Sequence, residues 1–352
     1  SMAEADALTE AIETARAGWT GPFVETGIFG TADAAAVAAM VEEAVTGQFG
    51  AAVDRCLFWQ VSVGCVAGLV LDDGRSIVCK VHQRRYDAGF LGASVEVQRA
   101  VADAGLPCPV PLADPMPVGP AWATVEAYRP APPDERPAGD DATRAASAAT
   151  LAAVVQVASA AARDATRAAL AAHPLRAAEY GGLWPKPHSP QFDFDLAAAD
   201  AAWIDALAAE ARARREAPND TSPVVAHTDW SHRNVRFAAD GTVAIAWDWD
   251  SMATLDEPVA MGQAAATWCV TGEPDHGGYP SPAEIDAYLA AYAAGRGRPL
   301  TADEATRARA AALWVIAYAA RCEHALAQRW PDVATPRIAT ERLAADGAAL
   351  LR

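Results

Sequence analysis

Pro223-Val224-Val225-Ala226-His227-Thr228-Asp229-Trp230-Ser231-His232-Arg233-Asn234-Val235-Arg236-Phe237 decides the fold, because it sets polar chemistry between two short apolar runs. The first run reads as a strand that delivers His227 and Asp229 onto a loop. Val235 to Phe237 and Val243 to Ala246 then flank Asp240-Gly241, a pair suited to the positive φ angles of a tight hairpin turn, and the hairpin ends at Asp248. Phosphoryl transfer needs a carboxylate to orient the attacking hydroxyl, hard oxygen ligands for magnesium and a cation on the phosphates. Asp229 fits the first need, and Asn234 and Asp248 offer neutral and charged oxygens for the second. The plainer alternative is an ordinary hairpin whose polar residues satisfy turn backbone. It requires four spaced residues to coincide with a strand-turn-strand context by chance.

Upstream, the stretch from Arg55 to Val81 alternates with period two, with Leu57, Trp59, Val61 and Val63 on one face and Phe58 as the exception. Val66 to Leu71 and Ser76 to Val81 form a hairpin around Asp72-Asp73-Gly74-Arg75, and Lys80 sits near the end of its second strand. A helix is predicted from Ser94 to Ala104 and a further strand from Trp122 to Tyr128. An earlier helix is predicted from Thr31, as N-cap, to Gly47, as stop. The Pro- and Gly-rich run from Arg129 to Asp141 reads as a loop. Beyond it, helices are expected around 142–172, 196–215, 282–294, 302–328 and 336–351. The division expected is a helical extension over 1–50, a β-rich lobe with one helix over 51–128 and a mainly helical lobe over 129–352.

Composition agrees with two packed lobes in 352 residues, and the abundant Ala favours helix. The formal net charge of −17 repels phosphate polymers, so nucleic acid is not an expected partner; the same charge draws cations or simply serves solubility. The six cysteines are dispersed without zinc-type spacing and read as buried thiols of a reducing cytosol. The acidic start, Met2-Ala3-Glu4-Ala5-Asp6, has no apolar core, which implies a cytoplasmic location. Ala145 to Ala162 is uncharged over nearly the length of a membrane span. Ser147, Thr150, Gln156 and Ser159 interrupt it, and Leu151, Val154, Val155 and Ala158 recur at helical spacing, so a buried helix is expected and no membrane partner.

His-x-Asp-x-x-x-x-Asn followed by Asp248-Trp249-Asp250 is similar to the catalytic core of the aminoglycoside phosphotransferase family, to which choline, homoserine and fructosamine kinases also belong. The resemblance implies an α+β, two-lobed protein-kinase-like fold using ATP and Mg2+, with Asp229 catalytic, Asn234 and Asp248 on the metal, and His227 holding the loop. It further implies that Lys80 contacts the phosphates, that Glu96 pairs with it, that Gly64 and Gly68 let the backbone approach the nucleotide, and that Glu126 to Tyr128 meet the adenine through backbone. Taken alone, Lys80 also reads as an edge lysine and Glu96 as helix N-terminal charge. Two stretches depart from the pattern. Ser62-Val63-Gly64-Cys65-Val66-Ala67-Gly68 is not a G-x-G-x-x-G run, and Met261 stands where such families carry a second Asp after the metal carboxylate.

For the acceptor, Asp250, Asp256, Glu257, Asp275, His276 and Glu323 are candidates that suit a cationic small molecule through charge-assisted hydrogen bonds. Each also reads as solvated surface charge. Trp184, Phe192 and Phe194, in a Pro-rich stretch, either stack on a sugar face or fill the core. The function expected is an ATP-dependent small-molecule kinase acting on a hydroxyl, with an aminoglycoside-like antibiotic or an amino-sugar or amino-alcohol metabolite as acceptor. A nucleotide-binding pseudokinase with a regulatory role is the alternative. A protein kinase is disfavoured by the lack of an Ala-Pro-Glu segment after Asp248.

Overall fold

The structure, a computed structural model, describes residues 2–17, 22–134, 136–176, 178–179, 182–271 and 278–352. The chain divides into two compact units, one of residues 1–99, 109–130 and 188–191 and the other of residues 100–108, 131–187 and 192–352.

In the first unit, helices α1 (Met2–Arg16), α2 (Phe23–Phe29) and α3 (Ala34–Phe49) precede strands β1 (Val53–Val61), β2 (Cys65–Leu71) and β3 (Ser76–Val81). Helix α4 (Ala88–Asp103) then leads to β4 (Met116–Val118) and β5 (Ala121–Ala127). The five strands form one antiparallel sheet in the order β1-β2-β3-β5-β4, so β3, which bears Lys80, is central. Leu8, Ile12, Ile28, Val37, Val41 and Val45 share one buried cluster with Leu69, Ile77, Cys79, Val81 and Val125. The helices of residues 2–49 thus bury their apolar stripes with the sheet's own core residues.

Three local expectations are corrected here. Helix α3 is capped by Asp33, whose Oδ1 accepts from Ala36 N at 2.7 Å, while Thr31 Oγ1 accepts from Asp33 N in the preceding turn. It runs through Gly47 and stops at Gly50, which takes φ +66°. Leu57 is 39 % exposed although it alternates with Trp59, because the β1–β2 register shifts between Cys56 and Phe58 and a bulge reverses the faces. Helix α4 begins at Ala88 rather than Ser94, since Asp87 Oδ1 accepts from Phe90 N at 2.8 Å and caps a turn whose Gly89 and Gly92 hid the helical pattern.

In the second unit, α5 (Asp141–Ala161) and α6 (Asp164–Ala171) replace the single helix expected over 142–172, with Ala162 extended between them. By length and composition α5 could cross a bilayer, but Ser147, Leu151, Val155 and Ala158 bury one face of it, and Ser147 accepts from Trp230 Nε1 through both its oxygens. Next come β6 (Ala178–Glu179), β7 (Trp184–Pro185), α7 (Ala202–Arg215), β8 (Val224–His227), β9 (Val235–Phe237), β10 (Val243–Ala246) and β11 (Met252–Leu255). Helices α8 (Glu257–Thr267), α9 (Pro282–Arg296), α10 (Ala302–Arg329) and α11 (Ile338–Asp346) complete the unit. Ser281 with Glu284 and Thr301 with Glu304 form capping boxes that start α9 and α10. β8 pairs antiparallel with β11, and β9 with β10 around the Asp240-Gly241 turn, where Gly241 takes φ +86°.

Helix α8 is buried from Pro258 to Thr267. A Cβ added at Gly262 would lie 2.1 Å from the carbonyl oxygen of Ala308 on α10, so the two backbones approach closer than any side chain permits. Gly262→Ala is therefore expected to push α8 off α10 and lower unfolding free energy by about 1–3 kcal/mol, read by denaturant titration; an unchanged midpoint would mean the helices are not so closely packed.

Candidate active site

The β8–β11 ladder places Met252 opposite His227, and the loop carrying the catalytic candidates leaves from that end. His227 is buried between the edges of Trp230 and Trp249. Its Nδ1 accepts from the backbone N–H of Asp229 at 3.2 Å, so its proton resides on Nε2, which donates to the carbonyl of Trp247 at 2.9 Å. One imidazole thus joins the start of the loop to the residue before Asp248. The loop then folds on itself: Ser231 N donates to Asp229 O, and Ser231 O accepts from Asn234 N and Val235 N.

Asn234 donates through Nδ2 to the backbone oxygen of Asp229 at 3.0 Å and to its Oδ2 at 2.7 Å. Both partners only accept, which fixes the amide and turns Oδ1 away from Asp229 as a hard oxygen donor. Trp247 N donates to Asn234 O at 2.8 Å, which sets Asp248 one residue beyond this contact. Asp248 adopts φ +70°, ψ +46°, left-handed backbone that costs a non-Gly residue of order 1–3 kcal/mol. Among the described residues the only other non-Gly residue with positive φ is Ala197. Strain at a half-buried carboxylate beside Asn234 is the kind of outlier that marks a functional position.

Magnesium commonly uses one or two carboxylates and completes its shell with water and nucleotide phosphates, so an all-protein cage is not required. Among the described residues no three His, Cys, Asp or Glu side chains form such a cage. The oriented Oδ1 of Asn234 and the carboxylate of Asp248 fit the smaller donor set. Asp250 is 9 % exposed, and its backbone oxygen accepts from His173 Nε2 at 3.2 Å.

In the first unit, Lys80 is half-buried on β3 between Val66 of β2 and Thr124 of β5. Glu96 lies in the third turn of α4, so the helix N-terminus does not account for its charge. Gly64 ends the β1–β2 turn, and a Cβ there would meet Val81 O at 2.7 Å. Gly68 sits inside β2, within the strand expected over 66–71, with the Phe58 ring over it, 2.3 Å from where a Cβ would stand. The Glu126 carboxylate accepts from Gln98 Nε2 at 2.6 Å. Ala127 N donates to Val110 O and Tyr128 N to Ser76 O.

The acceptor candidates are mostly committed elsewhere. Asp256 pairs with the buried Arg307 and accepts from Asn219 Nδ2. Glu257 meets Arg296, Arg298 and Tyr292 Oη. Glu323 caps α11, accepting from Ala339 N, Thr340 N and Thr340 Oγ1. Trp184 packs among Phe194, Trp314 and Tyr318 and donates to Asp205 Oδ1 at 2.8 Å. Asp275 and His276 lie outside the described residues.

Sequence reasoning missed Thr228, which donates to Ser251 O through both N at 2.9 Å and Oγ1 at 2.8 Å, stitching the loop of candidate residues to the segment after Asp248. It also missed Tyr279. Burial raises its phenol pKa, and Arg233 and Asp229 are among the charged groups that act on it electrostatically. Neither residue has a motif to announce it.

A family profile described as the APH phosphotransferase enzyme family matches residues 69–299, more than half of the chain. Among solved structures, the amicoumacin kinase hAmiN in complex with AMP-PNP, Ca2+ and Ami matches with TM-score 0.58 at 13% identity, covering 84% of this chain and 87% of that one. Spectinomycin phosphotransferase APH(9)-Ia with ADP and spectinomycin matches with TM-score 0.49 at 12% identity, covering 89% and 93%. Macrolide 2'-phosphotransferase MphH from Brachybacterium faecium matches with TM-score 0.47 at 16% identity, covering 84% and 98%. The first of these likenesses establishes the fold as kinase-like. No curated protein sequence matches the chain.

Two outcomes follow from the loop's geometry. Thr228→Val removes one of the two bonds to Ser251 and is expected to cost about 0.5–1.5 kcal/mol in denaturant unfolding, while Thr228→Ser retains both; equal losses would deny the hydroxyl its role. His232, stacked on Phe237, has its pKa pushed down to about 4 by burial and by Arg236. The unfolded chain therefore binds its proton first, and stability is expected to fall by at most about 3 kcal/mol as pH drops from roughly 6.5 toward 4. His232→Phe keeps the stack and should flatten that part of the profile; an unaltered slope would place the titration elsewhere.

Proposed function

The chain belongs to the APH phosphotransferase enzyme family, and from that membership we propose that it transfers the γ-phosphate of ATP to a hydroxyl of a small polar molecule. The observation that carries the reading is the joined set Asp229, Asn234 and Asp248, held by His227 and by the Trp247–Asn234 bond. Asp229 Oδ2 accepts from Asn234, so Oδ1 is the oxygen assigned to the acceptor hydroxyl, which it orients and whose proton it receives. Asn234 Oδ1 and Asp248 would hold Mg2+, which when bound with the nucleotide neutralises charge on the phosphates. Lys80, on the central strand, is assigned to the phosphates, and Glu96 to holding that lysine.

For the acceptor, the net charge of −17 favours approach of a cation. The fold neutralises Asp256 and Glu257 with arginines and ties Glu323 to α11, so these acids do not offer a row of sites for a polyamine. An amino sugar or amino alcohol of low charge, with its hydroxyl at Asp229, suits what remains. Retention of Asp229, Asn234, Asp248 and Lys80 together stands against a pseudokinase.

The test is ADP release by the purified protein with Mg-ATP across aminoglycosides, other cationic antibiotics, amino alcohols and sugars. An acceptor from this panel should stimulate turnover, and Asp229→Ala should lower it about 10²–10⁴-fold while Mg-ATP still binds. No stimulation by any acceptor, together with no binding of Mg-ATP, would contradict the proposal.

A further inference from the structure

Gln83 follows β3 and is half-buried. Its Nε2 donates to Val63 O at 2.7 Å and to His188 O, 105 residues away in sequence, also at 2.7 Å. Carbonyl oxygens only accept, so the amide nitrogen, not its oxygen, must face both, and the two N–H groups are both spent. Val63 is the middle of the three-residue turn between β1 and β2, in which Ser62 N donates to Gly64 O at 3.0 Å.

This turn has no G-x-G-x-x-G run to shape it. Gly64 is pressed against Val81 O on one side, and the Val63 carbonyl is held by Gln83 on the other. His188 opens the segment 188–191, which belongs to the same compact unit as Gln83. Ser189 is buried there, and its Oγ accepts from Gln191 N. The residues flanking the segment are fastened within the second unit, Trp184 to Asp205 and the Phe194 carbonyl to Arg321 Nη2 at 2.6 Å. The Pro-rich stretch, read from sequence as sugar-stacking aromatics or core filler, therefore contributes a strap to the nucleotide-binding unit.

We propose that Gln83 is a positioning residue that pins the nucleotide-facing β1–β2 turn to the strap 188–191. A side-chain amide here supplies the rigidity that a glycine-rich backbone does not. What the turn faces rests on the kinase reading; the pinning itself does not. Without Gln83, two carbonyls lose a donor, the turn loosens and nucleotide affinity falls, while the acceptor, bound by other residues, is unaffected.

The experiment compares the full-length protein with Gln83→Met, which keeps the length and removes both donors, and Gln83→Glu, which turns an oxygen toward both carbonyls. Gln83→Asn, too short to reach both, replaces any variant that fails to fold. Amide hydrogen exchange over 61–66 and 188–191 is expected to rise together by about tenfold, the loss of two such bonds, with residues 67–80 unchanged. The Kd for Mg-ATP should rise by a similar factor, and the acceptor KM should stay at the parental value. Either segment exchanging at the parental rate would overturn the pinning. Faster exchange with an unchanged Mg-ATP Kd would overturn the positioning role. A parent that binds no Mg-ATP but shows coupled exchange would sink the kinase reading of the turn and leave the pin established.

Discussion

The candidate site depends on one buried imidazole. His227 accepts from Asp229 N and donates to Trp247 O, and these two bonds fix where Asp229 leaves β8 and where Asp248 begins. Each is a modest contribution in isolation, about 0.5–1.5 kcal/mol net. Losing one inside an aromatic enclosure also leaves a buried polar group unsatisfied, which costs more than the bond contributes. The left-handed backbone at Asp248 persists because this surrounding network over-determines it.

Charge is distributed on the same logic. The second unit carries many acids, but Asp256, Glu257 and Glu323 are absorbed by Arg307, by Arg296 with Arg298, and by the first turn of α11. The Asp256–Arg307 pair also links the start of α8 to α10 at the place where Met261, fully buried, stands instead of a second Asp. Helix α8 is therefore anchored at its N-cap, Asp256, and by backbone contact at Gly262, not by a carboxylate in mid-helix.

The strand, loop and hairpin that bear Asp229, Asn234 and Asp248 were legible because their signal is local: a short apolar strand, spaced polar residues and an Asp-Gly turn lie within one stretch of chain. The helices expected around 282–294 and 302–328 correspond to α9 and α10, which local capping boxes start. What escaped depended on partners distant in sequence or on reversed patterns. The bulge at Leu57 is set by pairing with β2, and the ring that covers Gly68 comes from Phe58 on the neighbouring strand. Asp256, Glu257, Glu323 and Trp184 look like exposed recognition groups until their partners on α7, α9, α10 and α11 are placed beside them. The start of α4 carries Gly89 and Gly92, which dilute the helical pattern that Asp87 caps.

The central claim is that Asn234 and Asp248 form the protein's share of a metal–nucleotide site. Electron paramagnetic resonance of Mn2+, titrated into the protein with and without a non-hydrolysable ATP analogue, tests it most directly. The free-ion signal should fall in the presence of analogue and protein together, beyond what analogue alone produces, and Asn234→Ala combined with Asp248→Ala should abolish the difference. Undiminished uptake by the doubly substituted protein, or none by the parent, would contradict it.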